Sequence, residues 1–429
     1  MIFNFDSHKS KEPVGILDIG STKLACIILL PISNEKFELM GHSIQASEGI
    51  KNGEIIDMTL LSNVIGKVIQ SAEERASFTI KEINIVFSGG NPESENFSLS
   101  IKLLDPVISR RELTKLHFKE TGIIINKDRE IVQSQRLSYI IDQQENIKNP
   151  IGMKGNNLCS NINIISISKS AKENLEEALS QNHLKINQIH HTSTVCGMVC
   201  LNDEEKELGA LIIDFGGEIT SLTFFEKGNA IFTKTIPIGG SHITRDIATV
   251  LSVSLSDAER LKVVEGSLSS ENLSQKNISF PFEGDNFIFS HSINNENILH
   301  LNNGEMIQRE LLCNIIKSRV DEIIEKIEEV LSFSRIKHAF NKKIVITGGA
   351  SQLTGLQNYL GKKMKKFIII GKPNIQIKTA IDLPNNNFLS CFGMAYQTQL
   401  KTENKKPSFH SEISNYGVIG RSYHWFKNQ

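Results

Sequence analysis

No stretch of this chain reaches the roughly 18 consecutive apolar residues that a membrane-spanning helix needs, so any membrane contact has to be peripheral. The segment Met1 to Glu12 is polar and charged, without the apolar core of a secretory signal, which points to a cytoplasmic protein. Neither sign of charge is in excess. With 47 Lys plus Arg against 48 Asp plus Glu, nothing global suggests nucleic acid as a partner. Cysteine is sparse: Cys26, Cys159, Cys196, Cys200, Cys313 and Cys391 lie in apolar or mixed segments, lack zinc-ligand spacing and read as reduced core residues. Cys196 and Cys200 can share a helix face, but beside Val195, Met198 and Val199 they read as packing. His190-His191 has no partner ligands nearby and is assigned no chemistry. No motif marks a strong general base, so no catalytic residue is assigned. At 429 residues the chain is long enough for two to four structural units with large cores.

What the chain does have is one design written twice. Val14 to Leu29 (VGILDIGSTKLACIIL) and Ala210 to Phe225 (ALIIDFGGEITSLTFF) each read as an apolar run, an Asp, a Gly-rich turn and a second run. Each first run predicts a buried strand, and the turn reverses it into a hairpin. Glycine lets backbone approach an anion and take positive φ, so that successive N–H groups can point at phosphate oxygens. An Asp at the strand end, Asp18 or Asp214, can orient water bound to Mg²⁺. Two copies this far apart imply two similar domains facing one cleft, with a nucleotide between them. A third element, Lys342 to Leu360 (KKIVITGGASQLTGLQNYL), predicts a strand, then Gly348-Gly349, then a helix with Leu353, Leu356 and Leu360 on one face. That glycine turn would open a helix, where backbone donors can meet a nucleotide.

The order Asp-Ile-Gly-Ser-Thr-Lys, Asp-Phe-Gly-Gly, Thr-Gly-Gly-Ala resembles the actin, Hsp70 and sugar-kinase superfamily, and within it the bacterial cell-division FtsA family. The closer likeness rests on Asn146 to Gly155 (NIKNPIGMKG), Glu205 to Gly209, Ile236-Pro-Ile-Gly-Gly240, Ser256 to Val263 (SDAERLKV) and the final tail, and covers about Pro13 to Gln429. The resemblance implies an α/β, actin-like (actin/Hsp70/sugar-kinase) fold with two duplicated nucleotide-binding halves and inserted subdomains 1C and 2B. It implies ATP and Mg²⁺ as cofactors with at most weak ATPase activity. Matched to the superfamily motifs, the cofactor-binding positions are Asp18, Gly20, Ser21, Thr22, Lys23, Asp214, Gly216, Gly217, Gly239, Gly240, Glu259, Lys262, Gly348, Gly349 and Ala350. Asp18 and Asp214 would serve the metal, while Glu259 and Lys262 would face ribose and base. Ser256 with Glu259 also reads as a helix capping box, and both roles are compatible.

One position departs from the pattern. The family's second loop reads Asp-x-Gly-Gly-Gly-Thr, where this chain has Asp214-Phe215-Gly216-Gly217-Glu218-Ile219-Thr220. If the third position needed positive φ, Glu218 would cost about 1–3 kcal/mol, and its carboxylate would repel a triphosphate. The expectation is weakened nucleotide binding or a loop reshaped so that Glu218 points outward.

The expected organisation is a flexible N-terminus (1–12), subdomain 1A (13–88 and 162–208), 1C (89–161), 2A (209–242 and 336–400), 2B (243–335), a linker (401–415) and an amphipathic membrane-targeting helix (416–429). Within 1A a helix is expected near Leu60 to Ala76, and within 1C one near Arg110 to Glu120, followed by strands at Ile131 to Val132 and Leu137 to Ile141. Ile162 to Ile167 is expected as a strand returning to 1A. Within 2B, Leu311 to Leu331 predicts a long surface helix with Ile316, Val320, Ile323, Ile324, Ile327 and Leu331 as a buried stripe. Arg319 and Glu322 on that helix match the family's FtsZ-binding surface. They also read as solvated helix charges.

The linker is polar, aperiodic and contains Pro407. After it, Tyr416, Ile419, Tyr423 and Phe426 fall on one helical side, flanked by Val418 and Trp425; Arg421, His424 and Asn428 face away, and Lys427 sits at the border. An aromatic face opposite a basic one suits a bilayer interface. A terminal helix docked on its own domain would look similar, although the linker argues against docking, and Gly417 and Gly420 weaken helicity. The membrane-binding residues on this reading are Val418, Ile419, Arg421, Tyr423, Trp425, Phe426 and Lys427.

By resemblance the partners are FtsZ, later divisome proteins through 1C, further copies of the chain in actin-like filaments, and the inner membrane surface at the septum. A PilM-like pilus-assembly scaffold shares the relocated 1C and is the nearest alternative, followed by a small-molecule kinase of the same superfamily. An Hsp70-type chaperone lacks room for a peptide-binding domain. The tail separates the first reading from the others.

Overall fold

The computed structural model describes residues 12–33, 35–268, 298–300, 306–333, 336, 342–379 and 387–403. The expected tail, nearly all of the linker and much of the 243–335 insertion lie outside these residues.

Two sheets organise the molecule. Strand Val14–Ile19 has consecutive residues Ile16 and Leu17 both fully buried, so both of its faces are covered. It pairs antiparallel with Lys23–Ser33 and parallel with Glu82–Phe87, at the centre of a six-stranded sheet. Ala210–Phe215 repeats this arrangement in a five-stranded sheet, antiparallel to Thr220–Glu226 and parallel to Lys343–Thr347. Apolar runs with no polar alternation are what such doubly covered strands require.

Helices fill three layers around the sheets. One face of the first sheet packs under helices Met58–Ala76 and Lys169–Ser180 through Leu17, Leu24, Ile28, Leu61, Ile65, Val68 and Leu175. The first of these helices starts at an N-cap, Asp57, whose carboxylate accepts the Leu60 N–H at 2.9 Å. The opposite face shares a core with the second sheet: Ile16, Ala25 and Ile27 meet Ile212, Phe225 and Val345 through Thr192–Cys200 and Leu389–Glu403. On the outer face of the second sheet lie Gly240–Leu251, Leu255–Val264, Arg309–Phe333 and Leu356–Met364.

The long helix Arg309–Phe333 buries Leu312, Ile316, Val320, Ile323, Ile324, Ile327 and Leu331, the expected stripe extended by one residue. Each contributes roughly 1.5–3 kcal/mol on full burial. The stripe shares one core with Leu211, Ile213 and Leu222 of the second sheet, so the helix is bound to that sheet's layer. The chain then crosses back: Gln376–Lys378 joins the first sheet beside Lys36–Glu38, and the helix from Leu389 returns to the first half.

A separate four-stranded antiparallel sheet has the order Glu93–Lys102, Asn157–Ser168, Arg129–Ile141, Gln144–Ile147, with helix Arg110–Thr121 against it. Two expectations change here. Residues 129–141 form one strand in place of two, and Ile162 to Ile167 is the second half of a strand that pairs throughout with this sheet, so the expected change of unit at 161/162 falls inside it. The unit has its own apolar core of Leu103, Ile108, Leu116, Tyr139, Ile141, Ile147 and Leu158. Beside it Glu120 meets Arg136, Ser160 and His117. Burial alone would raise the Glu120 pKa, but hydrogen bonds from His117, Arg136 and Ser160 win and hold it at about 2. Among the described residues, no helix is long and apolar enough to cross a membrane.

Candidate functional site

The two hairpins deliver their Asp residues to equivalent places. Asp18 pairs in register with Ala25 and Val86; Asp214 pairs with Ser221 and Thr347. Both stand at the same end of their sheets, next to the glycine turns. Asp18 accepts the Ser390 hydroxyl from the first turn of the returning helix. Asp214 accepts Thr347 Oγ1 at 3.1 Å. Lys23, after the first turn, donates to the Asn387 side-chain oxygen at 2.8 Å.

Electrostatics tie these groups together. Burial pushes the Asp214 carboxyl up to about 6, the Asp18 charge pushes the same way, and Thr347 and Lys23 oppose them. Burial likewise raises Asp18, against Ser390 and Lys23, while burial lowers the Lys23 ammonium against the two aspartates. A half-buried and a buried carboxylate, Asp18 and Asp214, sharing one ammonium leave an uncompensated negative charge, which a divalent cation would neutralise. Among the described residues, no group of three or more His, Cys, Asp or Glu could hold a metal ion. A pair of carboxylates is a donor set that would suit Mg²⁺, an ion that keeps several waters and takes further ligands from phosphates.

The sign of the pH dependence follows from the Asp214 shift. The folded carboxyl binds its proton more tightly than an unfolded one, so its contribution to stability is full below about pH 4 and lost as pH rises through about 6. A Mg²⁺ served by Asp214 would compete with protons for it. Mg²⁺-dependent nucleotide affinity is therefore expected to fall as pH drops from 7.5 to 5.5, by up to about tenfold per unit below the pKa, and calorimetric titration across that range checks this.

The loops meet each other. A Cβ on Gly217 would stand 2.2 Å from Thr22 Cγ2, so the second loop reaches the first only as glycine. None of Gly20, Gly216, Gly217 and Glu218 adopts positive φ. The expected role of glycine thus holds as close approach, and positive φ is required at Gly348 alone of these turns, where φ is +88° and a Cβ would lie 2.3 Å from the Phe215 carbonyl oxygen. Gly349 has no atom within 4 Å of an added Cβ and faces open space.

Several expected roles change with the structure. The turn after Thr347 opens a short 3-10 helix, Gly349–Gln352; Leu353 caps it, and the α-helix begins only at Leu356. The N–H of Gly240 is given to the Gly216 carbonyl at 3.0 Å and that of Ser241 to Gly217, so the Gly239-Gly240 turn supports the second loop from beneath. The cap of helix Leu255–Val264 is Ser254, which accepts the Asp257 N–H, and Ser256 is not the cap. Glu259 instead accepts the Thr244 hydroxyl and pairs with Lys262 at 2.7 Å, and Lys262 also donates to Gly240 O at 3.1 Å. These two residues therefore sit together against helix Gly240–Leu251, whose first turn hydrogen-bonds to the second loop. Ala350 packs where a Cβ on Gly240 would collide at 2.9 Å.

The expected strain at Glu218 and its outward-pointing side chain are both absent from the structure. Glu218 is buried, without φ strain, and its carboxylate pairs with Arg245 and accepts the Asn52 N–H. Arg319 clasps Asp246 through two nitrogens, at 2.6 and 2.8 Å, and also reaches Glu322, so both proposed partner residues are engaged within the chain. Ser390, Asn387, Asn52 and Arg245 were missed by sequence reasoning, since no local motif marks them.

The sheets, the crossover and the paired loops define an actin-like protein. A solved PilM-PilN type IV pilus biogenesis complex matches with a TM-score of 0.61 at 14% identity, over 90% of this chain and 98% of that one. MreB 5 of Spiroplasma citri bound to AMPPNP matches at 0.52 and 13%, over 92% and 98%. Sequence is more specific: the model for cell division protein FtsA matches residues 211–393, and that for the SHS2 domain inserted in FtsA matches 89–166. Cell division protein FtsA of Agrobacterium fabrum is 32% identical over 378 residues, 86% of this chain and 82% of that protein. The FtsA of Neisseria meningitidis serogroup B is 25% identical over 98% and 99% of the two. The chain belongs to the FtsA family of cell division proteins.

Proposed function

We propose that this chain is an ATP-binding division protein that assembles on the inner face of the cytoplasmic membrane at the septum, holds the FtsZ ring there and recruits later divisome proteins. The observation that carries the nucleotide part is the pair of carboxylates, half-buried Asp18 and buried Asp214, at matching register beside two touching glycine loops. On this reading Asp18 and Asp214 hold Mg²⁺ through its water, and the backbone of Gly20 to Thr22, Gly216, Gly217 and Gly349 faces the phosphates. Mg²⁺ would supply charge neutralisation to the phosphates. Glu259 and Lys262 border the nucleoside side, and no residue is placed as a general base. Subdomain limits follow the sheets, with 1C as the four-stranded unit.

The tail, Val418 to Lys427, supplies reversible membrane contact, and assembly of several copies makes it firm. The solvent side of Arg309–Phe333, bordered by the half-buried, internally paired Arg319 and Glu322, is the FtsZ-facing candidate. A PilM-like scaffold is the second reading, favoured by the likeness to the PilM-PilN complex, but at 14% identity that likeness concerns the fold alone. The test is vesicle recruitment of FtsZ. FtsZ polymers are expected to float with lipid vesicles in a density gradient only when the full chain and ATP are present; FtsZ absent from the vesicle fraction under all conditions contradicts the adaptor role.

A further inference from the structure

Glu218, at the place of a glycine in the family pattern, has partners in both halves of the molecule. Its carboxylate pairs with Arg245 on Gly240–Leu251, in the second half, and accepts the backbone N–H of Asn52 in the first. Its side chain is 11% exposed, so this is a largely desolvated, charge-assisted contact. Asn52 belongs to the tight turn between the short strands Ile50–Lys51 and Glu54–Ile55. The next residue, Gly53, has a φ of +77° and donates its N–H to Ser21 Oγ in the first loop at 3.2 Å. A Cβ on Gly53 would stand 2.3 Å from Ile219 Cδ1 of the second loop. Gly53 O in turn accepts the Gly90 N–H at 3.1 Å, fixing the turn to the first half. One turn therefore bears on both loops, and the carboxylate of Glu218, paired with Arg245, lies in that junction.

We propose that Glu218 is a specificity-determining residue: a protein-borne anion that clasps the two halves, so that closure of the cleft does not depend on a nucleotide's terminal phosphate. A ligand shifts a conformational equilibrium only by binding one state better than the other. With the clasp in place the closed state is populated beforehand, and the third phosphate has little left to shift. Nucleoside di- and triphosphates then bind with similar affinity. The ligand half of this inference rests on the nucleotide reading above; the clasp does not.

Hydrogen–deuterium exchange on the full chain without nucleotide tests the clasp. The Asn52 amide is expected to exchange about tenfold faster in Glu218→Gly than in wild type, while amides of Val14–Ile19 are unchanged, which shows that the variant is folded. Glu218→Gln keeps an acceptor for Asn52, drops the charge facing Arg245 and is expected between the two. Titration of the same proteins with MgADP and MgATP tests specificity: a wild-type affinity ratio near one is expected, against about tenfold preference for MgATP in Glu218→Gly. Equal Asn52 exchange in wild type and Glu218→Gly overturns the clasp. A wild type that prefers MgATP as strongly as the variant overturns the specificity role. Binding of neither nucleotide to any of the three overturns the nucleotide reading and the specificity claim with it, while exchange still decides the clasp.

Discussion

Ending the chain at Asn415 is expected to reduce binding to anionic vesicles by at least about 100-fold under assembling conditions. The removed segment, Tyr416 to Gln429, carries Val418, Ile419, Tyr423, Trp425 and Phe426, with Arg421 and Lys427 to meet anionic headgroups. Full burial of one large apolar side chain contributes roughly 1.5–3 kcal/mol, and burial at an interface is incomplete, so a single tail holds weakly. Linked copies multiply that weak contact, and all of it is lost together on truncation. Co-sedimentation with vesicles measures it, with Trp425, the chain's one tryptophan, as a fluorescence reporter of insertion. Binding that survives truncation would move the membrane contact to the folded body.

Gly348→Val is expected to abolish nucleotide binding while leaving a folded protein. Gly348 has a φ of +88°, and a Cβ there would meet Phe215 O at 2.3 Å and Asp214 Oδ1 at 2.7 Å. A β-branched residue at positive φ costs on the order of 1–3 kcal/mol before any contact is counted. Relief has to come from moving the second loop or the Asp214 carboxylate, both at the centre of the cleft. An affinity loss of about 100-fold or more follows, since about 2.8 kcal/mol suffices for it. Gly349→Ala is the control: open space surrounds its Cβ position, so a small effect is expected. Fluorescent-nucleotide titration of both variants gives the comparison.

The parts of this account that were legible beforehand are the local ones. An apolar run, an Asp and a glycine turn fold within about twenty residues, so both hairpins and the stripe of Arg309–Phe333 could be read directly. What could not be read depends on residues brought together from distant parts of the chain. Ser254 to Asp257 and Ser256 to Glu259 fit the same capping pattern, and sequence cannot choose between them. The choice is settled by Thr244 on a neighbouring helix, which takes the Glu259 carboxylate. Glu218 looked like a defect because its loop was considered alone; Arg245 and Asn52 give it a paired, buried position. The strand Asn157–Ser168 runs unbroken through 161/162 because its pairing partners, Glu93–Lys102 and Arg129–Ile141, are non-local and leave no mark in the local sequence. Ser390 and Asn387 reach the site only because the chain crosses back to the first half.

The most direct test of the central claim is calorimetric titration of the full chain with ATP, with and without Mg²⁺, alongside the double variant Asp18→Asn, Asp214→Asn. One saturable site per chain, strengthened by Mg²⁺ in the wild type and indifferent to it in the variant, is the expected result. Absence of saturable binding, or a Mg²⁺ effect that persists without both carboxylates, would contradict the assignment of this cleft as a metal-assisted nucleotide clamp.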